Sequence, residues 1–147
     1  MYESLQQIHT LVGISVLLLL TITLIISIAG LTSKGEFTSK DRKLALFTLI
    51  ATHIQFLIGI IIYFNSPLGI SVLGEMKNAA LRLTSLEHPL VNLIAIILIT
   101  VGWSKHKKLT ESTKKFRTFA IFYGIGLLLI LSKIPWDLLS DVTEKLF

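Results

Sequence analysis

Hydrophobic positions fall in four long blocks, and the segments between the blocks carry nearly all of the charge. The blocks cover about residues 9–31, 44–64, 86–103 and 119–134. A helix needs about 20 apolar residues to cross the hydrocarbon core, and a single apolar span must be helical because lipid cannot pair its backbone groups. The pattern therefore predicts an all-α protein, a transmembrane four-helix bundle that forms one membrane domain over residues 1–147.

Composition agrees with a membrane location and removes several kinds of chemistry. The chain is 52% hydrophobic and 16% charged, whereas soluble domains carry about 25% charged residues. It has no cysteine, which excludes disulfides, thiolate metal sites and cysteine nucleophiles. The net charge of +5 comes from basic residues in short loops, and no nucleic-acid-binding motif accompanies it, so we expect no nucleic-acid partner.

The distribution of basic residues predicts the orientation of the bundle. The first and third loops hold ten lysines and arginines, and the second loop and the C-terminal region hold four. Because positive residues concentrate in cytoplasmic loops, the first and third loops are expected in the cytoplasm, and both termini outside. The outer loop, 67–85, contains a helix-favouring stretch at 75–83 that predicts a short interfacial helix.

Three of the four histidines fall within or at the edge of different spans, where ionisable residues usually serve a function. His9 and His88 each open a span on the outer side, so they are expected at matched depth. His53 lies roughly 16 Å below the outer end of its span, because each helical residue rises about 1.5 Å. His106, in the basic SKHKK segment, is expected to be a solvated loop residue.

Two imidazoles at matched depth on facing helices are what a bis-histidine haem b requires. On this hypothesis His9 and His88 are the metal ligands, and Gly13 and Asn92 stand beside the ring as cofactor-binding residues. His53 is an alternative ligand, or a group that supports a ligand or relays protons. Haem propionates are anionic, and three basic residues on the outer side are candidates to bind them: Arg82, Lys77 and Lys133.

Two other kinds of protein remain open. One is a haem-free membrane scaffold or accessory subunit whose histidines form interhelical hydrogen bonds, worth about 0.6–2 kcal/mol each. The other is a small transporter or metal-handling protein. A zinc or copper site with His9, Glu87 and His88 would need three or four ligands at one level, and these do not plainly converge.

The order of several short motifs resembles a group of small bacterial four-span proteins described as cytochrome b or cytochrome-b-like. The matching residues run along nearly the whole chain: His9, the FTSKDRK segment at 37–43, His53-Ile54-Gln55, Glu87-His88 and Ile134-Pro135-Trp136. The chain departs from that pattern at Val12-Gly13, where an arginine-tryptophan pair is expected, and at Pro89, which directly follows the third histidine.

The resemblance implies haem b with His9, His53 and His88 as candidate ligands, and an electron carrier rather than a stand-alone enzyme. It also implies a bacterial cytoplasmic (inner) membrane location. The expected partners are the lipid bilayer, a quinone and other membrane subunits; a homo-oligomer remains open.

Overall fold

The protein is a bundle of four long helices. The computed structural model describes residues 1–146, and the long helices in it are α1 (Tyr2–Ser33), α2 (Ser39–Asn65), α4 (His88–His106) and α5 (Ser112–Ser132). Two short helices flank them: α3 (Ala79–Arg82) precedes α4, and α6 (Trp136–Leu146) follows α5. No strand occurs among residues 1–146, so the predicted all-α four-helix bundle is confirmed. Phe147, the last residue of the predicted domain, lies outside the described residues.

Four helical segments are long and apolar enough to cross a membrane, namely α1, α2, α5 and the continuous segment Ala79–His106. Many of their large apolar side chains face outward: Leu18 is 59% exposed, Leu57 60% and Leu128 67%. An apolar surface that extends around the whole bundle is unstable in water but suits a hydrocarbon environment. The fold is therefore that of a multi-pass membrane protein.

The four long helices pack as the corners of a square. Helix α1 packs against α2 and α5, and α4 packs against the same two helices. Helices α1 and α4 thus occupy opposite corners. A hydrogen bond of 2.8 Å between the hydroxyls of Thr23 and Thr48 joins α1 to α2 in the middle of the bundle. Side chains of α1 and α4 that point inward therefore face each other across the bundle axis.

The entry to α4 contains a π turn. Of the stretch predicted to be helical at 75–83, only Ala79–Arg82 forms the α-helix α3, which Asn78 caps by accepting hydrogen bonds from the Ala80 and Leu81 amides, and residues 76 and 77 form a turn. A π turn, Leu83–Glu87, then joins α3 directly to α4. Pro89 has no N–H to donate to the Ser85 carbonyl, and the wider turn occurs at this interruption. The outer-loop helix is thus an extension of the third span.

Helix α6 folds back against the start of α1. The fourth span, predicted to end near residue 134, ends at Ser132, and α6 begins at Trp136 after Pro135. Val142 on α6 is only 7% exposed and faces the bundle. The C-terminal segment therefore lies over the same end of the bundle as the N-terminus of α1.

The opposite end of the bundle is tightly packed and is called the aromatic end. It is defined by Phe37, Trp103, His106, Phe116 and Phe119. Phe37 stacks on Phe119 with ring centroids 5.8 Å apart and an interplanar angle of 9°. One helical turn further into the bundle, the Tyr123 hydroxyl crosses to α2 and donates a 2.9 Å hydrogen bond to the Ala45 carbonyl. Packed rings therefore make up much of the core at this end.

The expectation that His106 is a solvated loop residue is wrong. His106 is the last residue of α4 and is only 2% exposed. Its ring packs against Trp103 and Phe119, with centroids 4.4 Å and 4.8 Å away, and its Nδ1 bonds to the Trp103 carbonyl. Helix α4 extends past the apolar block, and this extra turn carries the imidazole into the aromatic cluster although its sequence neighbours are basic.

Candidate cofactor site

A cavity of about 570 Å³ lies at the end of the bundle opposite the aromatic end. We call this the histidine end, defined by His9, Gln55 and His88. Helices α1, α2 and α4 form the walls, and α6 contributes Leu138, Leu139 and Val142 to the cover. Most of the lining is apolar, with a few polar side chains directed inward, as in typical cofactor and ligand pockets.

His9 and His88 both line this cavity, on helices at opposite corners of the bundle. Their ring centroids are 6.4 Å apart and the ring planes are inclined at 75°. Two imidazole nitrogens bound to opposite sides of a metal at about 2.0–2.1 Å would set the centroids roughly 6 Å apart. The separation of the two rings is therefore compatible with one metal ion between them.

His88 is held firmly by the backbone. Its Nδ1 lies 2.7 Å from the carbonyl of Lys133, to which it donates a hydrogen bond. With the proton on Nδ1, the lone pair is on Nε2, which is the tautomer that a metal-binding histidine uses. The Asn92 amide nitrogen donates to the His88 carbonyl at 2.6 Å and also lies 3.2 Å from Nδ1, but the closer Lys133 carbonyl can only accept and so keeps the proton on Nδ1. Asn92 thus contacts the candidate ligand and also lines the cavity.

His9 is held differently, by a side chain of the neighbouring helix. The Gln55 amide nitrogen donates to the His9 carbonyl at 2.9 Å and lies 3.2 Å from His9 Nε2. His9 Nδ1 and Gln55 Oε1 are both buried without a hydrogen-bond partner. Buried polar atoms of this kind are rare and need a specific explanation.

Two glycines make the room for this pair. A Cβ at Gly59 would lie 3.2 Å from His9 Cε1, and a Cβ at Gly13 would lie 2.9 Å from the Gln55 amide nitrogen. Gly13, which the sequence predicts beside the cofactor, therefore lines the cavity and contacts Gln55. A larger residue at either position would displace the imidazole or the amide.

The basic residues predicted to bind propionates have other partners or lie apart. Arg82 Nε and Lys133 Nζ lie 2.8 Å and 2.7 Å from the two carboxylate oxygens of Glu87. Lys77 is exposed and does not line the cavity. Arg82 and Lys133 therefore form a clamp around Glu87, next to His88, and the carbonyl of Lys133 completes it by accepting from the ring.

His53 lies outside the cavity. Its Nδ1 is 2.8 Å from the Leu49 carbonyl and its Nε2 is 3.3 Å from the Thr100 hydroxyl, so both ring nitrogens are paired. The contact with Thr100 joins α2 to α4. Of the three candidate ligands, the structure brings together His9 and His88 and places His53 at a helix contact.

His9 and His88 are the two histidines that line this cavity and could bind a metal ion. Within residues 1–146 no group of three or more histidine, aspartate or glutamate side chains could bind a metal ion. A haem needs only two axial protein ligands, because the macrocycle supplies the other four. The paired imidazoles, the anchored Nδ1 of His88 and the apolar walls therefore fit a haem better than a bare zinc or copper ion.

The role of Gln55 is not apparent from the sequence. Gln55 belongs to a polar and small stripe on α2 that also includes Thr52 and Gly59, and such a stripe is typical of an ordinary helix interface. Only the placement of His9 opposite this stripe identifies Gln55 as its partner.

A comparison of the chain with models of protein families, with curated proteins and with solved structures found no match.

Proposed function

We propose that this chain is a membrane cytochrome that holds one haem b between His9 and His88 and carries single electrons. The observation that supports the proposal most is the pair of imidazoles that line one largely apolar cavity with their ring centroids 6.4 Å apart. When bound, haem b supplies a one-electron iron couple. The proposed role assigns the residues of the cavity to holding the haem and gives none of them a catalytic step. The chain is therefore proposed as an electron carrier rather than a stand-alone enzyme.

The residues of the cavity have distinct tasks in this proposal. His88, fixed by the Lys133 carbonyl, is the rigid ligand, and His9, held by Gln55, is the second. Apolar side chains of α1, α2 and α4 exclude water and so favour the less charged state of the site. The clamp of Arg82 and Lys133 on Glu87 places two cations close to the cavity, where carboxylates of the cofactor can compete with Glu87 for them.

The proposal includes a location and an orientation. We place the chain in the bacterial cytoplasmic membrane with both termini outside, because ten of its fourteen basic residues lie in the first and third loops. The histidine end then lies near the outer surface. One haem at one face does not span the bilayer, so the proposed work is exchange with a lipid-soluble quinol and with another membrane subunit or an external acceptor.

The test is the visible spectrum of the purified protein. The chain is expressed with haem supplied, purified in detergent, and scanned before and after reduction by dithionite and by a short-chain quinol. We expect about one haem per chain and a sharp b-type α-band on reduction. A flat spectrum from folded, haem-supplied protein would contradict the proposal.

A haem-free scaffold or accessory subunit is the alternative, and one observation favours it. His53 shows that this bundle does use a histidine as an interhelical tie, since both of its ring nitrogens are paired. His9 differs, because its Nδ1 is buried and unpaired, which is a poor arrangement for a purely structural role. A flat spectrum, together with co-purifying membrane subunits, would support the scaffold.

A further inference from the structure

We propose that Gln55 is the positioning residue for His9: in the haem-free chain its amide donates to Nε2 and so holds the imidazole in the tautomer protonated at Nδ1. This inference rests on the proposed function for its purpose, but the tautomer itself can be measured without haem. The two histidines of the cavity need different means to reach the same tautomer. His88 reaches it through the Lys133 carbonyl, and His9 has no acceptor at Nδ1.

The orientation of the Gln55 amide follows from its contact with the backbone. The amide nitrogen lies 2.9 Å from the His9 carbonyl oxygen, which can only accept. The NH₂ group must therefore face α1, and the amide oxygen faces away. The reversed amide would put two acceptors against each other and is excluded by that contact.

The same NH₂ group then determines which ring nitrogen of His9 carries the proton. The amide nitrogen lies 3.2 Å from His9 Nε2, and its second hydrogen is available for that contact. Because an NH₂ group can only donate, Nε2 must accept, and the ring proton resides on Nδ1. A histidine that binds a metal through Nε2 needs this same form, and the metal would take the place of the Gln55 hydrogen on that lone pair.

The surroundings of Gln55 leave little freedom for another arrangement. A Cβ at Gly13 would come within 2.9 Å of the amide nitrogen, so the side chain fits only against a glycine. The imidazole is confined on its other side, where a Cβ at Gly59 would lie 3.2 Å from Cε1. His9 Nδ1 and Gln55 Oε1 both remain buried and unpaired, so no other protein group competes to set the tautomer.

The experiment is ¹⁵N NMR of the histidine rings in haem-free protein at about pH 8, where an ordinary imidazole is uncharged. The wild-type chain carries ¹⁵N-histidine, and the His9 signals are assigned by their loss in His9→Ala. We expect His9 to be protonated at Nδ1. In Gln55→Leu, which removes the amide and both of its contacts with His9, both tautomers should be populated.

Controls separate this effect from a general loss of structure. Thr100→Val removes the partner of His53 Nε2 and should change the His53 signals while leaving those of His9 as they are. Gly13→Ala should disturb His9 in the same sense as Gln55→Leu, whereas Gly74→Ala should not, because a Cβ at Gly74 meets nothing within 4 Å. Helix content by circular dichroism should be equal in all variants.

Haem titration provides the second readout. Loss of a side chain that orients a metal ligand typically weakens metal binding by roughly 10- to 100-fold, and we expect that range for Gln55→Leu because the imidazole then loses its fixed tautomer and orientation. A wild-type His9 protonated at Nε2, or a tautomer that Gln55→Leu does not change, would overturn the inference whether or not haem binds. The expected tautomers with no haem binding would instead refute the proposed function and leave the role of Gln55 intact.

Discussion

The two ends of the bundle are built from similar helices but are packed in opposite ways. At the aromatic end a Cβ at Gly30 would lie 2.5 Å from the Phe116 ring, so the space beside this glycine is filled by an apolar ring. At the histidine end the space beside Gly59 admits an imidazole, and a cavity of about 570 Å³ follows. The aromatic end is thus filled by packed side chains, whereas the histidine end keeps a cavity beside two imidazoles.

The largest effect is expected from Phe119→Ala at the aromatic end. Phe119 is 1% exposed and contacts Phe37, His106 and Tyr123, so its removal leaves a cavity. We expect the free energy of unfolding in detergent to fall by about 3–5 kcal/mol. Phe56→Ala, in the wall of the existing cavity, is the matched variant and should cost clearly less. Equal losses would show that the two ends are packed alike.

Gly59→Val should have the next largest effect, on ligand binding rather than on folding. Even a Cβ here would press on His9 Cε1, and the branched side chain would push the ring out of place. We expect haem affinity to fall at least about tenfold, which corresponds to about 1.4 kcal/mol, with little change in unfolding. Gly74→Ala serves as the control. If the haem affinity of Gly59→Val equals that of the wild type, His9 is not part of the haem-binding site.

Tyr123→Phe should have a moderate effect on stability alone. It removes the 2.9 Å hydrogen bond to the Ala45 carbonyl and leaves the ring in place. We expect a loss of about 1 kcal/mol, measured by reversible unfolding, and no change in any haem spectrum. A shifted haem spectrum would mean that the aromatic end also influences the haem site, contrary to the comparison made above.

The smallest effect is expected from Glu87→Gln in the clamp beside His88. The side chains of Arg82 and Lys133 are 39% and 37% exposed, so solvent screens their ion pairs with Glu87 and we expect only a small loss of stability. The loss of stability should shrink further at high salt. In the haem-free chain, a fall in thermal stability as large as that of Tyr123→Phe would show that the clamp itself holds the histidine end together.

The architecture could be predicted from sequence because hydropathy along the chain reflects where lipid lies. Four apolar blocks predict the four spans, and those blocks lie within the observed long helices apart from the ends of the third and fourth. The ends of elements were harder. Pro89 introduces a π turn that no periodicity indicates, and α4 continues into the basic SKHKK segment as far as His106. The burial of His106 depends on that extra turn.

The site could be predicted only in part, because depth along a helix is visible in the sequence and direction around it is not. Matched depth suggested His9 and His88 as a pair, and the structure brings these two rings together. Sequence could not decide the place of His53, which depends on which side of α2 faces α4. Gln55 was likewise invisible as a partner, because its contact with His9 joins residues of two different helices.

The measurement that tests the account most directly is a reduced-minus-oxidised spectrum of three variants beside the wild type, with haem content per chain. The α-band should be strongly reduced in His9→Ala and absent in His88→Ala. The effect of His88→Ala is expected to be larger because the Lys133 carbonyl anchors the ring of His88. His53→Ala should keep the wild-type spectrum and haem content. Loss of the band in His53→Ala, with either of the other two variants unaffected, would contradict the assignment of the cavity as the haem site.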